Sequence, residues 1–258
     1  MGEWQARVSR LERELREAIA EGQFRLYLQP QFTRDGRLHG AEALLRWAHP
    51  ERGLLAPGAF IAEAEHSGLI RPIGDWVLEE TLALLAGPLR DSPQVLAMNI
   101  SVQQLRDDGF TLRLAEALER HGVAPGRLVL EVVESMLVTP DIRERLGALQ
   151  ALGFAIALDD FGTGYSSLRY LQELRVEEIK LDRAFIEPLK HADDAPLARS
   201  IIALAQALEL RLVAEGVETE AQASFLRRQG VDLLQGYLLT RPEPLEAFLA
   251  RVSDHRQR

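Results

Sequence analysis

Seven side chains of this 258-residue chain share a position more than a motif. Glu42, Asn99, Glu131, Asp159, Asp160, Lys180 and Glu215 stand at or near the ends of short apolar runs, as do Gln29, Asp182 and Gln235. Five of them are carboxylates. Brought together, they would carry a formal charge of −5, and like charges at short range raise one another's pKa and oppose folding. Such a cluster is stable if it holds cations or if several members are protonated. The candidate ligands are oxygen donors, which select Mg²⁺, Mn²⁺ or Ca²⁺ over zinc or copper. Two divalent ions would offset four of the five charges. Two ions ~3.5–4 Å apart are the usual arrangement for hydrolysing a phosphodiester, one activating water and both stabilising charge on the phosphate. A lysine beside Mg²⁺-binding carboxylates equally suits proton abstraction next to a carboxylate, as in enolase-type sites. Spacing leaves both chemistries open.

The elements that must position these residues are read from periodicity. Eight runs rich in Val, Ile and Leu cover 24–29, 37–47, 94–101, 127–134, 154–160, 177–182, 210–218 and 231–239. Most of the segments between them carry apolar residues at helical spacing, and several stop at glycine. Strands alternating with helices predict a mainly parallel sheet buried on both faces. Eight strands in ~250 residues match an α/β fold of the (β/α)8 TIM-barrel type, whose active sites lie at the C-terminal ends of the strands. An open doubly wound sheet is the alternative, but no GxGxxG or GxxxxGK[ST] follows the first strand. Lys180 and Asp182 are two apart and so share one face of a strand. Asp159 and Asp160 are adjacent, and both reach one site only if the strand ends between them. Singly, each residue reads as a solvated strand end, an N-cap or a snorkelling lysine. The coincidence at so many successive strand ends argues against that reading for the set.

Composition narrows the function classes. Lysine plus arginine total 30 against 39 aspartate plus glutamate, a net charge of −9 that argues against a nucleic-acid polymer as partner. There are no cysteines, so disulfides, thiolate metal sites and cysteine nucleophiles are excluded. No apolar run approaches the ~20 residues of a membrane span, and the charged N-terminus lacks a signal-peptide core. This segment is therefore expected to be cytoplasmic and free of membrane contact, as a whole protein or as part of a larger one. Residues 1–21 form a charged helix with Trp4, Val8, Leu11, Leu15, Ala18 and Ile19 on one stripe. It either packs on the domain over 22–250 or ends a signalling linker. Residues 191–196 read as a loop, and 251–258 as a tail.

At these same residues the sequence resembles the EAL domain family, the cyclic di-GMP-specific phosphodiesterases. The naming tripeptide is Glu42-Ala43-Leu44 in GAEALLRW, followed in order by MNIS (98–101), EVVES (131–135), LDDFGTGYSSL (158–168), IKLDR (179–183), AEGVET (214–219) and QGYLL (235–239). The match covers about 22–245. The resemblance implies a barrel with one strand antiparallel to the others, and hydrolysis of cyclic di-GMP to linear 5′-pGpG with Mg²⁺ or Mn²⁺, Ca²⁺ being inhibitory. It implies that Glu42, Asn99, Glu131 and Asp159 hold one ion, and that Asp159, Asp160 and Glu215 hold the second. Lys180 would orient the attacking water, with Glu215 as ligand, general base or both. Arg46 would grip a substrate phosphate, and Gln29, Leu44, Asp182, Glu218 and Gln235 would line the dinucleotide pocket. Glu134 would anchor the loop over 160–167. Val133 stands where the family has threonine, which removes a hydroxyl beside that anchor. Homodimerisation and an upstream sensor or GGDEF-type domain are the controls the resemblance implies. Some relatives have lost catalysis and serve as cyclic di-GMP receptors. Here every implied metal position and the lysine are present, which favours an active enzyme.

Overall fold

A computed structural model describes residues 2–162, 171, 173–188 and 196–256, without the side chains of 2–9 and 256. Helix α1 (Gly2–Ala20) precedes a hairpin of β1 (Phe24–Thr33) and β2 (Leu38–His49), then the short β3 (Gly53–Leu55). Helices α2 (Ile61–His66) and α3 (Ile70–Ala86) lead to β4 (Val95–Asn99), α4 (Val102–Leu105) and α5 (Phe110–His121). There follow β5 (Leu128–Val133), α6 (Pro140–Ala151), β6 (Ala155–Phe161), β7 (Glu178–Leu181) and α7 (Arg183–Ile186). The chain ends with α8 (Pro196–Ala207), β8 (Arg211–Ala214), α9 (Glu220–Arg228), β9 (Leu233–Leu234), β10 (Glu243–Pro244) and α10 (Leu245–Arg256).

The eight predicted runs are the eight staves of a closed barrel. Strands β2, β4, β5, β6, β7, β8 and β9 pair in that order, and β1 closes the ring between β9 and β2. Strand β1 is antiparallel to both neighbours and the other barrel pairs are parallel. The expected (β/α)8 type with one antiparallel strand is therefore what the chain adopts. Strands β3 and β10, too short to show a period, extend the sheet at β2 and β1.

Two-residue alternation then sorts every side chain. Leu96, Met98, Leu128, Leu130, Ile156, Leu158, Ile179 and Leu181 are buried in the main apolar core. The alternate positions Ala97, Val129 and Ala157 form a separate small cluster, with Val95 and Ala155 beside it. One step further along the same strands stand Asn99, Glu131 and Asp159, so the polar layer lies immediately C-terminal to small apolar residues. Gly40 lets β2 approach β4: a β-carbon there would lie 2.2 Å from the Val95 carbonyl oxygen.

Helix α1 docks on this frame through its second half. Leu15 and Ala18 are fully buried, and Glu14 accepts hydrogen bonds from Arg10 at 2.8 Å and Arg52 at 2.7 Å. His49, the last residue of β2, lies 3.5 Å from the same carboxylate. The side chains of Trp4 and Val8 lie outside the described residues, as do 191–195 of the expected loop. Among the described residues no helix is long and apolar enough to cross a membrane.

Candidate functional site

Lys180 is the point on which the site converges. It is fully buried on β7, and its Nζ lies 2.7 Å from Glu215 Oε1, 2.8 Å from Glu131 Oε2, 3.4 Å from Glu42 Oε2 and 3.5 Å from Asp159 Oδ1. These carboxylates come from β2, β5, β6 and the residue after β8, and only ring closure brings them together. Glu42 is held on both oxygens. Asn99 Nδ2 donates to Oε1 at 2.9 Å and Gln235 Nε2 donates to Oε2 at 2.7 Å. That leaves the Asn99 side-chain Oδ1 as the atom that could ligate an ion.

The backbone at Asp160 differs from what the sequence suggested. The strand does not end between Asp159 and Asp160; β6 runs on to Phe161. Its register against β7 slips by one residue between Leu158 and Phe161, and Asp160 takes a left-handed φ of 55°. A bulge of this kind re-aims one side chain without terminating the pairing. Asp160 is exposed, but partial desolvation at its carboxyl together with the charges of Asp159, Asp182 and Glu134 raises its pKa.

The electrostatics show what the cluster lacks. Burial lifts the Glu131 carboxyl well above the usual range, and Glu42 pushes the same way. Burial is also the main cause that takes Glu215 up to about 7, against the pull of Lys180. For Glu42, burial is outweighed by Lys180 and by the hydrogen bonds from Gln235 and Asn99, and its pKa falls. Lys180 is kept charged: desolvation opposes the charge, but Glu131, Glu42, Glu215 and Asp159 outweigh it. One ammonium thus stands against four carboxylates, of which Glu131 and Glu215 hold a proton more readily than a free carboxylate does. The Glu131 Oε1 oxygen is buried with no hydrogen-bond partner. Excess negative charge, hard oxygen donors and an orphaned carboxylate oxygen fit divalent cations. Among the described residues no three His, Cys, Asp or Glu groups are already arranged as an ion site; the carboxylates pair with Lys180.

A pH dependence follows. Between an unfolded value of 4.5 and a folded value of about 7, folded Glu215 keeps a proton that the unfolded chain has released. Stability of the chelated protein therefore falls as pH rises through that window. Thermal melts in EDTA should show a lower midpoint at pH 8 than at pH 5.5, and Glu215→Gln should shrink the difference. A slope unchanged in the variant would remove Glu215 from the account.

Comparison with known proteins places this geometry. The family model described as EAL domain matches residues 12–242. The chain belongs to the EAL domain family. It is 45% identical over 246 residues to the bifunctional diguanylate cyclase/cyclic di-GMP phosphodiesterase MucR of Pseudomonas aeruginosa, covering 93% of this chain and 36% of that protein. It is 39% identical over 244 residues to the cyclic di-GMP phosphodiesterase PdeR of Escherichia coli, covering 92% of this chain and 37% of that one. The chain thus spans little more than a third of these relatives. Among solved structures, the PaMucR phosphodiesterase in complex with c-di-GMP superposes with a TM-score of 0.88 at 44% identity, over 93% of this chain and 99% of that one.

Around the EAL cluster four of the remaining expected residues share one mouth. A recess of about 280 Å³ is lined by Gln29, Leu44, Glu218 and Gln235 as well as Glu42 and Glu215. Arg46 lies further along β2, its Nη1 donating to the Leu45 carbonyl at 2.8 Å and its guanidinium 5.7 Å from the Tyr27 ring centre. Asp182 caps α7 by accepting from the Ala184 N–H at 2.9 Å. It therefore serves the local backbone and is not among the recess residues. Glu134 is buried, and its Oε2 accepts from the Gly162 N–H at 2.6 Å, at the start of the expected loop; residues 163–167 of that loop lie outside the described residues. Sequence reasoning passed over Gln31. It is buried on the same face of β1 as Gln29 and donates to Gln235 Oε1 at 2.9 Å, so it orients the amide that grips Glu42. The signal was present as the two-residue spacing in Gln29-Pro30-Gln31.

Proposed function

We propose that this EAL domain hydrolyses cyclic di-GMP to linear 5′-pGpG, with Mg²⁺ or Mn²⁺ bound at the carboxylate cluster. The reading is carried by one observation, the meeting of Glu42, Glu131, Asp159 and Glu215 around Lys180 with every family position filled. Glu42, Asn99, Glu131 and Asp159 would hold one ion, and Asp159, Asp160 and Glu215 the other. When bound, such ions activate water and stabilise charge on the phosphate.

The chain's own residues supply the rest. Water adds to one phosphorus, the bond to the 3′ oxygen breaks, and the 3′-hydroxyl leaves. Lys180, fixed by its carboxylate neighbours, points a charged donor at the reacting centre and needs no reorganisation as charge develops there. Gln31 and Gln235 hold Glu42 in one orientation. Arg46 places a second cation beside the mouth for a phosphate oxygen. Homodimerisation and an attached sensor or GGDEF-type domain are the controls this reading expects, with the messenger met in the cytoplasm.

The test is direct. Purified protein incubated with cyclic di-GMP and Mn²⁺ or Mg²⁺ should yield pGpG on chromatography, and EDTA should stop it. Tight nucleotide binding with no product at long times would make the domain a receptor and sink the hydrolase reading.

A further inference from the structure

We propose that Arg183 is a specificity-determining residue that, paired with Glu218, selects guanine over adenine at the mouth of the barrel. The inference rests on the cyclic dinucleotide reading above and adds a residue to it. Arg183 opens α7, and its side chain lines the recess together with Glu218 and Tyr237. Its stem lies across Gly216. A β-carbon at that position would sit 2.6 Å from Arg183 Cγ and 2.7 Å from Arg183 Cβ, and Gly216 has a φ of 63° that side chains rarely adopt. The stem is thus seated on a place that only glycine can occupy, while half of the side chain remains exposed.

The head is tied as well. Arg183 Nη2 lies 3.1 Å from Glu218 Oε1. Glu218 is itself fixed through its backbone, whose N–H donates to Gln222 Oε1 at 2.8 Å in the capping box that starts α9. A donor fork and a carboxylate acceptor therefore stand side by side at the recess, both anchored before any ligand arrives.

That pairing matches one base. Guanine presents N1–H and N2–H₂ donors next to its O6 acceptor, with N7 beyond. The carboxylate of Glu218 can accept from the first two while Arg183 donates to O6 and N7, the pairing by which arginine commonly reads guanine. Adenine places an amino donor where guanine has O6, against the arginine, and an acceptor at N1, against the carboxylate. Tyr237, about half exposed in the same recess with the Arg241 guanidinium 4.1 Å from its ring centre, offers an aromatic face. Stacking accepts any base, so it cannot make the distinction. Discrimination falls to the polar edge.

The experiment is equilibrium binding of cyclic di-GMP and cyclic di-AMP in EDTA, where turnover is blocked, to wild type, Arg183→Met and Arg183→Lys. Methionine keeps an unbranched stem over Gly216 and removes the fork. Wild type should prefer the guanine ligand. Arg183→Met should lose that preference by roughly 10-fold, within the range expected for one bidentate base contact, chiefly through weaker cyclic di-GMP binding. Arg183→Lys should retain part of it. A preference unchanged in Arg183→Met, or equal weakening toward both ligands, would overturn the assignment, the second result marking a structural role. Should wild type bind neither dinucleotide, the cyclic dinucleotide reading fails and this inference with it. Wild-type binding with an unaltered ratio defeats this inference alone.

Discussion

Lys180→Met is expected to destabilise the chelated protein by about 3–5 kcal/mol, the usual cost of removing one partner from a buried charge pair. Lys180 is fully buried, and among the described residues it is the cation ion-paired to Glu42, Glu131, Asp159 and Glu215. Methionine keeps the length and the packing but leaves those carboxylates facing one another. Protonation limits the damage, and Glu131 already sits well above the usual carboxylate range. The midpoint in EDTA should therefore drop most at high pH, where protons are scarce. Mn²⁺ supplies positive charge by another route and should narrow the gap between variant and wild type. Turnover should stay down by roughly 10²–10³ even with metal present, the cost of losing one preorganised electrostatic contributor. A Lys180→Met protein that melts like wild type in EDTA would show that the ammonium is not the counter-charge of the cluster.

The parts of this molecule that were legible in the sequence are those where one physical requirement dominates. Each barrel strand is buried on both faces, so it reads as an apolar run, and eight such runs separated by helical spacing, without the phosphate fingerprint of an open doubly wound sheet, point to a closed barrel. Glu131 in the middle of Leu128–Val133 has no ordinary reason to be there, and that misfit exposes the site. Residues whose role depends on a partner far along the chain carried at most a weak spacing signal. Gln31 looks like any polar residue of a hairpin until Gln235 is placed beside it. Arg183 looks like the first residue of a short helix until its stem is found on Gly216. The bulge at Asp160 could not be read either, because a left-handed backbone at a non-glycine residue is imposed by its surroundings and not by its own preference. Strands β3 and β10 are three and two residues long, below the length at which alternation means anything.

Glu42→Gln separates the role of the cluster in holding metal from its role in holding the fold. The substitution keeps the shape and removes one negative charge. Both oxygens of Glu42 now accept hydrogen bonds, from Asn99 and from Gln235. A glutamine has one oxygen and one amino group, so one of the two donors must face another donor. That mismatch leaves a buried group unsatisfied and costs about 1–3 kcal/mol. Relief of repulsion between Glu42 and Glu131 works in the opposite direction, since Glu42 is a main cause of the raised Glu131 pKa. The attraction to Lys180 that keeps Glu42 ionised is lost as well, so the chelated variant should melt below wild type, though by less than Lys180→Met. Metal should then tell the two proteins apart: Mn²⁺ should raise the midpoint of wild type and raise that of Glu42→Gln far less, because one charged ligand is gone. Turnover of cyclic di-GMP should fall by at least roughly 10²-fold, on the scale of removing one electrostatic contributor from a preorganised site. Retained activity together with an undiminished response to Mn²⁺ would mean that the glutamate of the EAL tripeptide holds no ion in this protein, and the two-ion account would lose its first ligand.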